Sequence, residues 1–185
     1  MSSLSKKNIA LSKISQIASF KTRKNIGTSL IMPTLSYIIE VYGSCSEYLL
    51  NALQVQQNKA AKYITQLPHR TPTEILLLQC DWLSVRQLAK YCSLILLHRI
   101  MVEEKPKYIA DRLVPLSRTG MRETRRTDHL CLQMKKCRTM TASRTFIPRS
   151  IALWNTLPSY LREIRDTASF KTQLKIFIKA NVPVK

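Results

Sequence analysis

Residues that could bind a metal ion or activate a nucleophile are few and scattered in this sequence. His129, Cys131 and Cys137 have the spacing H-x-C-x5-C, which matches no common zinc pattern and lacks a fourth ligand nearby. Catalysis by two metal ions needs clustered carboxylates, yet the 11 Asp and Glu residues include no Asp-Asp pair. His69 and His98 are interpreted as ordinary surface and core-edge residues. We therefore predict no metal site, no cofactor and no catalytic residue.

Glycine and cysteine usage excludes two further classes of protein. Only three glycines occur, whereas glycine-rich phosphate-binding loops need several glycines within a few residues. The five cysteines are odd in number and widely spaced, so we predict no disulfide framework. We find neither a signal-peptide core nor an apolar run near the roughly 20 residues of a membrane helix. We expect a protein of the cytoplasm or the nucleus that has no membrane partner.

Positive charge is the strongest chemical feature of the sequence. Thirty Lys and Arg residues outnumber eleven Asp and Glu residues, which gives a net charge of +19 and an isoelectric point near 10.1. Surfaces that only maintain solubility normally mix both signs, so we interpret the excess as phosphate contact with RNA or DNA. The predicted nucleic-acid-binding residues are Lys6, Lys7, Lys21, Arg23, Lys24, Arg118, Arg122, Arg125, Arg126, Lys135, Lys136, Arg138, Arg144 and Arg149.

Hydrophobic periodicity predicts an all-α fold, an irregular bundle of about six or seven helices with one basic, arginine-rich loop. Apolar residues recur at helical spacing over 4–20 and 49–64. The continuously apolar stretch 28–42 predicts a helix with Pro33 in or near its first turn, where a missing N–H costs little. Phe170, Leu174 and Phe177 share one face of a last helix.

Two capping boxes predict helix starts by a specific mechanism. In each, a hydroxyl accepts from the backbone N–H three residues later, and the side chain of that later residue reaches back. The pairs are Thr71 with Glu74 and Ser84 with Gln87. The second box opens a helix whose apolar face we expect at the centre of the core. That face comprises Val85, Leu88, Ala89, Cys92, Ile95, Leu96 and Ile100.

The helical pattern is lost between Arg118 and Arg149. This stretch has little apolar content, so it can become ordered on nucleic acid rather than fold alone. We therefore predict three parts. Residues 1–116 form an amphipathic helical core, 117–145 a basic loop or linker, and 146–185 a C-terminal helical segment that packs on the same core.

Three stretches form a recognisable pattern by their order and spacing. The first runs from Ser29 through Val41-Tyr42-Gly43 to Lys62, and the second is Asp81–Arg86. The third is Phe146–Pro158, followed by Ile164, Phe170, Lys171, Leu174 and Lys175. Together they resemble the C-terminal, post-palm region of reverse transcriptases of non-long-terminal-repeat (LINE-class, jockey-like) retrotransposons. Tyr42 stands where that family usually has Trp, and Lys62 where Arg is common.

The resemblance implies a role in a mobile element without polymerase activity in this chain alone. In that family the metal-binding aspartates of the F-A-D-D motif lie upstream, and this sequence has no such motif. The resemblance thus implies the thumb-like portion of an RNA-directed DNA polymerase, which guides primer–template and element RNA, with the palm as a partner in cis or in trans. Trp154, Leu157 and Phe170 are expected to be core residues rather than base-stacking platforms.

Two alternatives to the nucleic-acid role stay open. The chain can be a helical protein-interaction module that docks a reverse-transcriptase palm or a host protein, with its charge serving solubility or nuclear entry. It can also be an inert mobile-element relic.

Overall fold

The computed structural model describes residues 2–68, 70–116 and 130–181, and in these residues the chain is all-α. Within them no β-strand occurs, and an isolated bridge pairs Pro115 with Leu132. Among the described residues, none of the helices combines the length and apolarity that crossing a bilayer requires. The helices are α1 (Ser2–Ser15), α2 (Phe20–Ser36), α3 (Ile39–Tyr42), α4 (Glu47–Thr65), α5 (Thr73–Cys80), α6 (Val85–Glu103), α7 (Lys107–Ala110), α8 (Met140–Ser143), α9 (Phe146–Asn155), α10 (Ser159–Arg162) and α11 (Thr167–Ala180).

The helix count differs from the six or seven that periodicity predicts. The described residues contain eleven helices, of which α3, α7, α8 and α10 have four residues each. Four residues make little more than one turn, so they show no repeating apolar face. Much of the predicted arginine-rich loop falls on 117–129, outside the described residues.

The N-terminal helices are divided differently from the prediction. α1 ends at Ser15, and α2 begins at Phe20 and contains Pro33 in its last turn. Ser19 is the N-cap of α2, and its Oγ accepts a hydrogen bond from the Thr22 N–H at 3.4 Å. The prediction of Pro33 in a first turn is therefore wrong. A capping serine sets an earlier start, and the pattern of apolar residues does not reveal it.

One of the two predicted capping boxes is present. The Ser84 N–H donates to Gln87 Oε1 at 3.0 Å, and the Gln87 N–H donates to Ser84 Oγ at 3.3 Å. The box at the start of α6 is confirmed. The Thr71 box is wrong, because the Thr71 hydroxyl donates to the Pro68 carbonyl at 2.7 Å and α5 begins at Thr73. Threonine hydroxyls can donate to nearby carbonyls as well as accept from N–H groups. Here the hydrogen bond to the Pro68 carbonyl forms instead of the cap.

The chain divides into two compact units, Met1–Ala89 and Lys90–Lys185. In the first unit α4 packs on α1, α2 and α5. α2 and α4 approach closely at Gly27 of α2, where a Cβ would lie 2.5 Å from Ile64 Cδ1 of α4. No larger residue fits there without movement of Ile64. The predicted three-part division at 116 and 145 stays a prediction.

An aromatic cluster forms the core of the second unit. The rings of His98 and Phe170 are stacked with their centroids 4.1 Å apart, and Trp154 lies 5.9 Å from Phe170. All three side chains are at most 1% exposed, and Leu157 is buried beside them in sequence. The interpretation of Trp154, Leu157 and Phe170 as core residues is confirmed.

Helix α9 fixes the segment that precedes it in the described chain. The indole N–H of Trp154 donates to the Leu130 carbonyl at 3.0 Å. Asn155 forms two bonds with Leu132: its Nδ2 donates to the carbonyl at 2.9 Å, and its Oδ1 accepts from the N–H at 2.9 Å. Paired amide bonds of this kind act like a β-ladder step. They hold residues 130–132 against α9. The position of this anchored stretch sets the point from which residues 133–138 continue.

Helix α6 has buried residues from its first turn to Ile100, but they do not all lie on the predicted face. Val85, Leu88 and Ala89 are buried as predicted. Beyond Lys90, Ile100 is buried as predicted, but the prediction is wrong for Cys92, Ile95 and Leu96, which are only half-buried. The other buried residues there are Ser93, Leu94, Leu97 and His98. The part of α6 in the second unit therefore buries a different set of residues. A prediction that assumes one continuous apolar face along the helix does not include such a change.

Candidate nucleic-acid interface

The predicted cations of the first unit are mostly engaged in hydrogen bonds of the fold. Lys7 donates through Nζ to the Leu30 carbonyl at 3.2 Å and to the Thr34 hydroxyl. Lys24 donates to the Gln79 carbonyl at 3.1 Å, near the C-terminal end of α5, where a positive charge is favoured. Lys6 and Lys21 are exposed. Of the five predicted cations in this unit, Lys6 and Lys21 are therefore the two whose side chains are exposed and make no hydrogen bond within the described residues.

Arg23 has a structural role. Its side chain is 8% exposed, and its Nε donates to the Ile64 carbonyl at 2.9 Å. One terminal nitrogen also donates to the carbonyls of Ser15 and Ala18 at 3.3 and 2.9 Å. The guanidinium therefore satisfies carbonyls at the ends of α1 and α4, which lack partners within their helices. We leave Arg23 out of the proposed interface because a phosphate would have to replace these bonds.

The predicted cations of the second unit are arranged differently. We call residues 130–149 the basic segment, because it contains five Lys and Arg residues and no Asp or Glu. Lys135, Lys136, Arg138 and Arg144 are exposed. Within the described part of the chain, none of these four makes an ion pair or a side-chain hydrogen bond. Arg149 is half-buried and donates to Ser93 Oγ at 3.4 Å, so it faces the protein.

A cleft of about 410 Å³ opens beside the basic segment, and we call it the basic cleft. Its lining includes three cations, Arg112, Lys135 and Lys136, together with the apolar residues Ala142, Ile147, Pro148 and Ile151 and the residues Gln133, Cys137 and Thr145. Arg138 and Arg144 adjoin the lining residues Cys137 and Thr145 in sequence. The lining of the cleft therefore combines three cations with apolar side chains.

Sequence reasoning missed Arg112. It lies 23 residues before Lys135, in a stretch with mixed charge. The bridge between Pro115 and Leu132 and the bond from the Gln133 N–H to the Val114 carbonyl at 2.8 Å join the two stretches. This non-local pairing brings the stretch that contains Arg112 beside the basic segment. Four predicted cations, Arg118, Arg122, Arg125 and Arg126, lie outside the described residues.

The cysteines are held in different surroundings. Cys131 is buried and accepts a hydrogen bond from an Arg162 terminal nitrogen at 2.6 Å, while Cys137 is half-buried in the basic cleft. Burial raises the pKa of the Cys80 thiol to about 11, and the nearby Lys24 charge opposes this rise only in part. Within the described residues, no three His, Cys, Asp or Glu side chains form a group able to hold a metal ion. His129 lies outside those residues.

His98 is placed for packing rather than for proton transfer to a substrate. Its ring is buried between aromatic neighbours, and its Nε2 lies 2.7 Å from the Ile164 carbonyl, to which it donates. Burial lowers the pKa of His98, and this effect outweighs the opposing ones of the Ile164 carbonyl and the Asp166 carboxylate. The ring is therefore neutral at physiological pH. His69, the other histidine considered as a base, lies outside the described residues.

We expect the free energy of unfolding to fall as the pH is lowered below about 6.5. An unfolded histidine binds a proton near that pH, whereas His98 in the folded chain stays neutral because its pKa is lowered. The unfolded state then binds more protons, so stability is lost at up to about 1.4 kcal/mol per pH unit until the folded pKa is reached. Urea unfolding at pH values from about 7.5 to 5.5 measures this. His98→Gln should flatten the dependence, and an equal slope in both proteins would contradict the assignment.

Comparisons with protein-family models, with curated proteins and with solved structures find no match to this chain.

Proposed function

We propose that this chain is a non-catalytic nucleic-acid-binding portion of a retrotransposon reverse transcriptase, and that its basic segment contacts the phosphates of template RNA or primer–template. The observation that carries the proposal is the basic segment, whose exposed cations Lys135, Lys136, Arg138 and Arg144 occur in 20 residues without a carboxylate. Lysine and arginine side chains that neutralise phosphates release counterions, which drives binding.

The reverse-transcriptase part of the proposal rests on the resemblance and on what its residues do in the fold. Trp154 and Phe170 belong to the aromatic core of the second unit, and Asn155 holds Leu132. These signature positions therefore build the scaffold that presents the basic segment. A packed scaffold that carries exposed cations suits a thumb-like element. Such an element contacts the phosphate backbone of a duplex and performs no chemistry on it.

Exposed apolar side chains in the first unit favour a second candidate, a helical module that docks a protein partner. Tyr37, Val41 and Tyr48 lie within 12 residues of the sequence and are between 67% and 78% exposed. Large exposed apolar groups are typical of interaction surfaces where they form one patch. The partner would be a reverse-transcriptase palm, in cis or in trans, or a host protein. An inert relic would bind neither such a partner nor nucleic acid.

The proposal is tested by the ligand preference of the purified chain. We expect RNA–DNA hybrid or structured RNA to bind at least about tenfold more tightly than duplex DNA at about 0.15 M salt, because a thumb-like surface recognises A-form geometry. Fluorescence anisotropy with labelled single-stranded RNA, duplex RNA, hybrid and duplex DNA measures the four affinities. Equal, weak binding to all four would refute the proposal. Stoichiometric binding of an added palm-containing fragment in that situation would support the docking module.

A further inference from the structure

The lining of the basic cleft combines two chemically different kinds of residue. Arg112, Lys135 and Lys136 are exposed cations. Ala142, Ile147 and Pro148 are half-buried apolar residues. A patch of lysines and arginines alone would bind any polyanion, but apolar lining residues contribute nothing to the binding of a free phosphate. The cleft therefore suits a ligand with an anionic end and a compact apolar body.

The size and charge of the cleft limit this ligand further. A volume of about 410 Å³ lies in the range that holds small ligands, roughly 300 to 1,000 Å³. Three cations around one space match the several oxygens of a phosphate group better than the single carboxylate of an amino-acid side chain, and arginine binds phosphate oxygens in pairs. Within the described part of the chain these three side chains make no ion pair, not even Arg112 with the adjacent Asp111.

We propose that the basic cleft binds one nucleoside monophosphate unit, with the phosphate on Arg112, Lys135 and Lys136 and the base against Ile147 and Pro148. This inference rests on the proposed function and adds to it: the surface would hold a nucleotide of a strand in a defined site, instead of contacting phosphates only. Apolar contact with a base face tolerates any base. We therefore expect little discrimination among the four bases.

Filling the cleft without changing its charge tests the site. Ala142 is half-buried and lines the cleft, and its N–H donates to Thr139 Oγ1 at 3.1 Å. Because the donor is the backbone N–H, a leucine at position 142 can make the same hydrogen bond. Ala142→Leu puts three more carbon atoms into the cleft. The matched control is Ala152→Leu, at an exposed position of α9 that does not line the cleft. Both variants retain the net charge of +19.

Titration of the ¹⁵N-labelled full chain with adenosine monophosphate, adenosine and inorganic phosphate measures binding. We expect adenosine monophosphate to bind more tightly than either half, and Ala142→Leu to weaken it at least about fivefold. Ala152→Leu should leave it unchanged. Equal affinities for phosphate and the nucleotide, or an unchanged affinity in Ala142→Leu, would overturn the inference. So would displacement of the nucleotide by a short peptide of Glu and Leu, which would assign the cleft to an acidic peptide.

A single-stranded RNA of about 12 nucleotides separates this inference from the proposed function. If the RNA binds with a steep salt dependence and adenosine monophosphate does not occupy the cleft, the inference fails and the proposed function stands. If adenosine monophosphate binds in the cleft but RNA does not bind, the ligand is a free nucleotide and the proposed function fails. Weaker RNA binding by Ala142→Leu than by Ala152→Leu would identify a strand as the source of the nucleotide.

Discussion

Replacing Trp154 by alanine is expected to lower the free energy of unfolding by about 3 to 5 kcal/mol, the usual cost of truncating a buried aromatic residue. Trp154 is 1% exposed and lies 5.9 Å from the Phe170 ring and 6.3 Å from the His98 ring. Its removal leaves a cavity in the core of the second unit. It also removes the indole N–H that donates to the Leu130 carbonyl, so a backbone acceptor loses its partner.

Urea unfolding followed by far-ultraviolet circular dichroism measures this effect. Tyr160→Ala is a suitable control because Tyr160 is 55% exposed on α10, and we expect a change within about 0.5 kcal/mol there. Trp154→Phe should fall between the two, since it keeps most of the ring volume and loses the hydrogen bond. A loss below about 1 kcal/mol for Trp154→Ala would show that the aromatic cluster does not stabilise the unit.

The second large effect concerns the basic segment. We expect joint replacement of Lys135, Lys136, Arg138 and Arg144 by alanine to weaken single-stranded RNA binding about a hundredfold or more at about 0.1 M salt. Each phosphate contact to a single strand contributes about 0.7 to the slope of log K against log salt, so four contacts contribute nearly three decades at that concentration. All four side chains are exposed, so the substitutions should leave the fold intact. Fluorescence anisotropy with a labelled oligonucleotide measures the affinity.

A matched variant distinguishes local contacts from the overall charge of the chain. Lys59, Arg70, Lys107 and Arg165 are also exposed, and they comprise two lysines and two arginines, as the basic segment set does. Their joint replacement by alanine removes the same formal charge from scattered positions. We expect less than about a fivefold loss, because none of these four residues belongs to the basic segment and the overall charge acts on RNA only through a screened field. A similar loss in both variants would show that only net charge matters.

Helices with a clear apolar face could be predicted from the sequence. α4 covers the predicted 49–64 stretch, and the Ser84 box opens α6 as expected. The bounds of α2 could not be predicted. Its start depends on the Ser19 cap, and Pro33 lies in its last turn rather than its first. Local patterns therefore located the long amphipathic helices. They failed where a single capping residue or a turn such as that at Thr71 decided the boundary.

The candidate site could be predicted only in part, because the sequence shows the type of a charge but not its surroundings. Lys135 and Arg138 could be predicted because they belong to a stretch of the sequence with several cations and no carboxylate. Arg23 looks the same in the sequence, yet tertiary packing places its guanidinium on three carbonyls. Arg112 was missed for the converse reason. It reaches the basic cleft through a pairing of residues 17 apart, Pro115 with Leu132.

The central claim is that the basic segment contacts phosphates directly, and the salt dependence of RNA binding tests it most directly. Affinities for one single-stranded RNA are measured from about 0.05 to about 0.5 M salt for the original chain, the basic-segment variant and the scattered variant. The account predicts that the slope of log K against log salt falls in magnitude by about 3 in the basic-segment variant and changes by less than about 1 in the scattered variant. Equal slopes for all three proteins would contradict the claim.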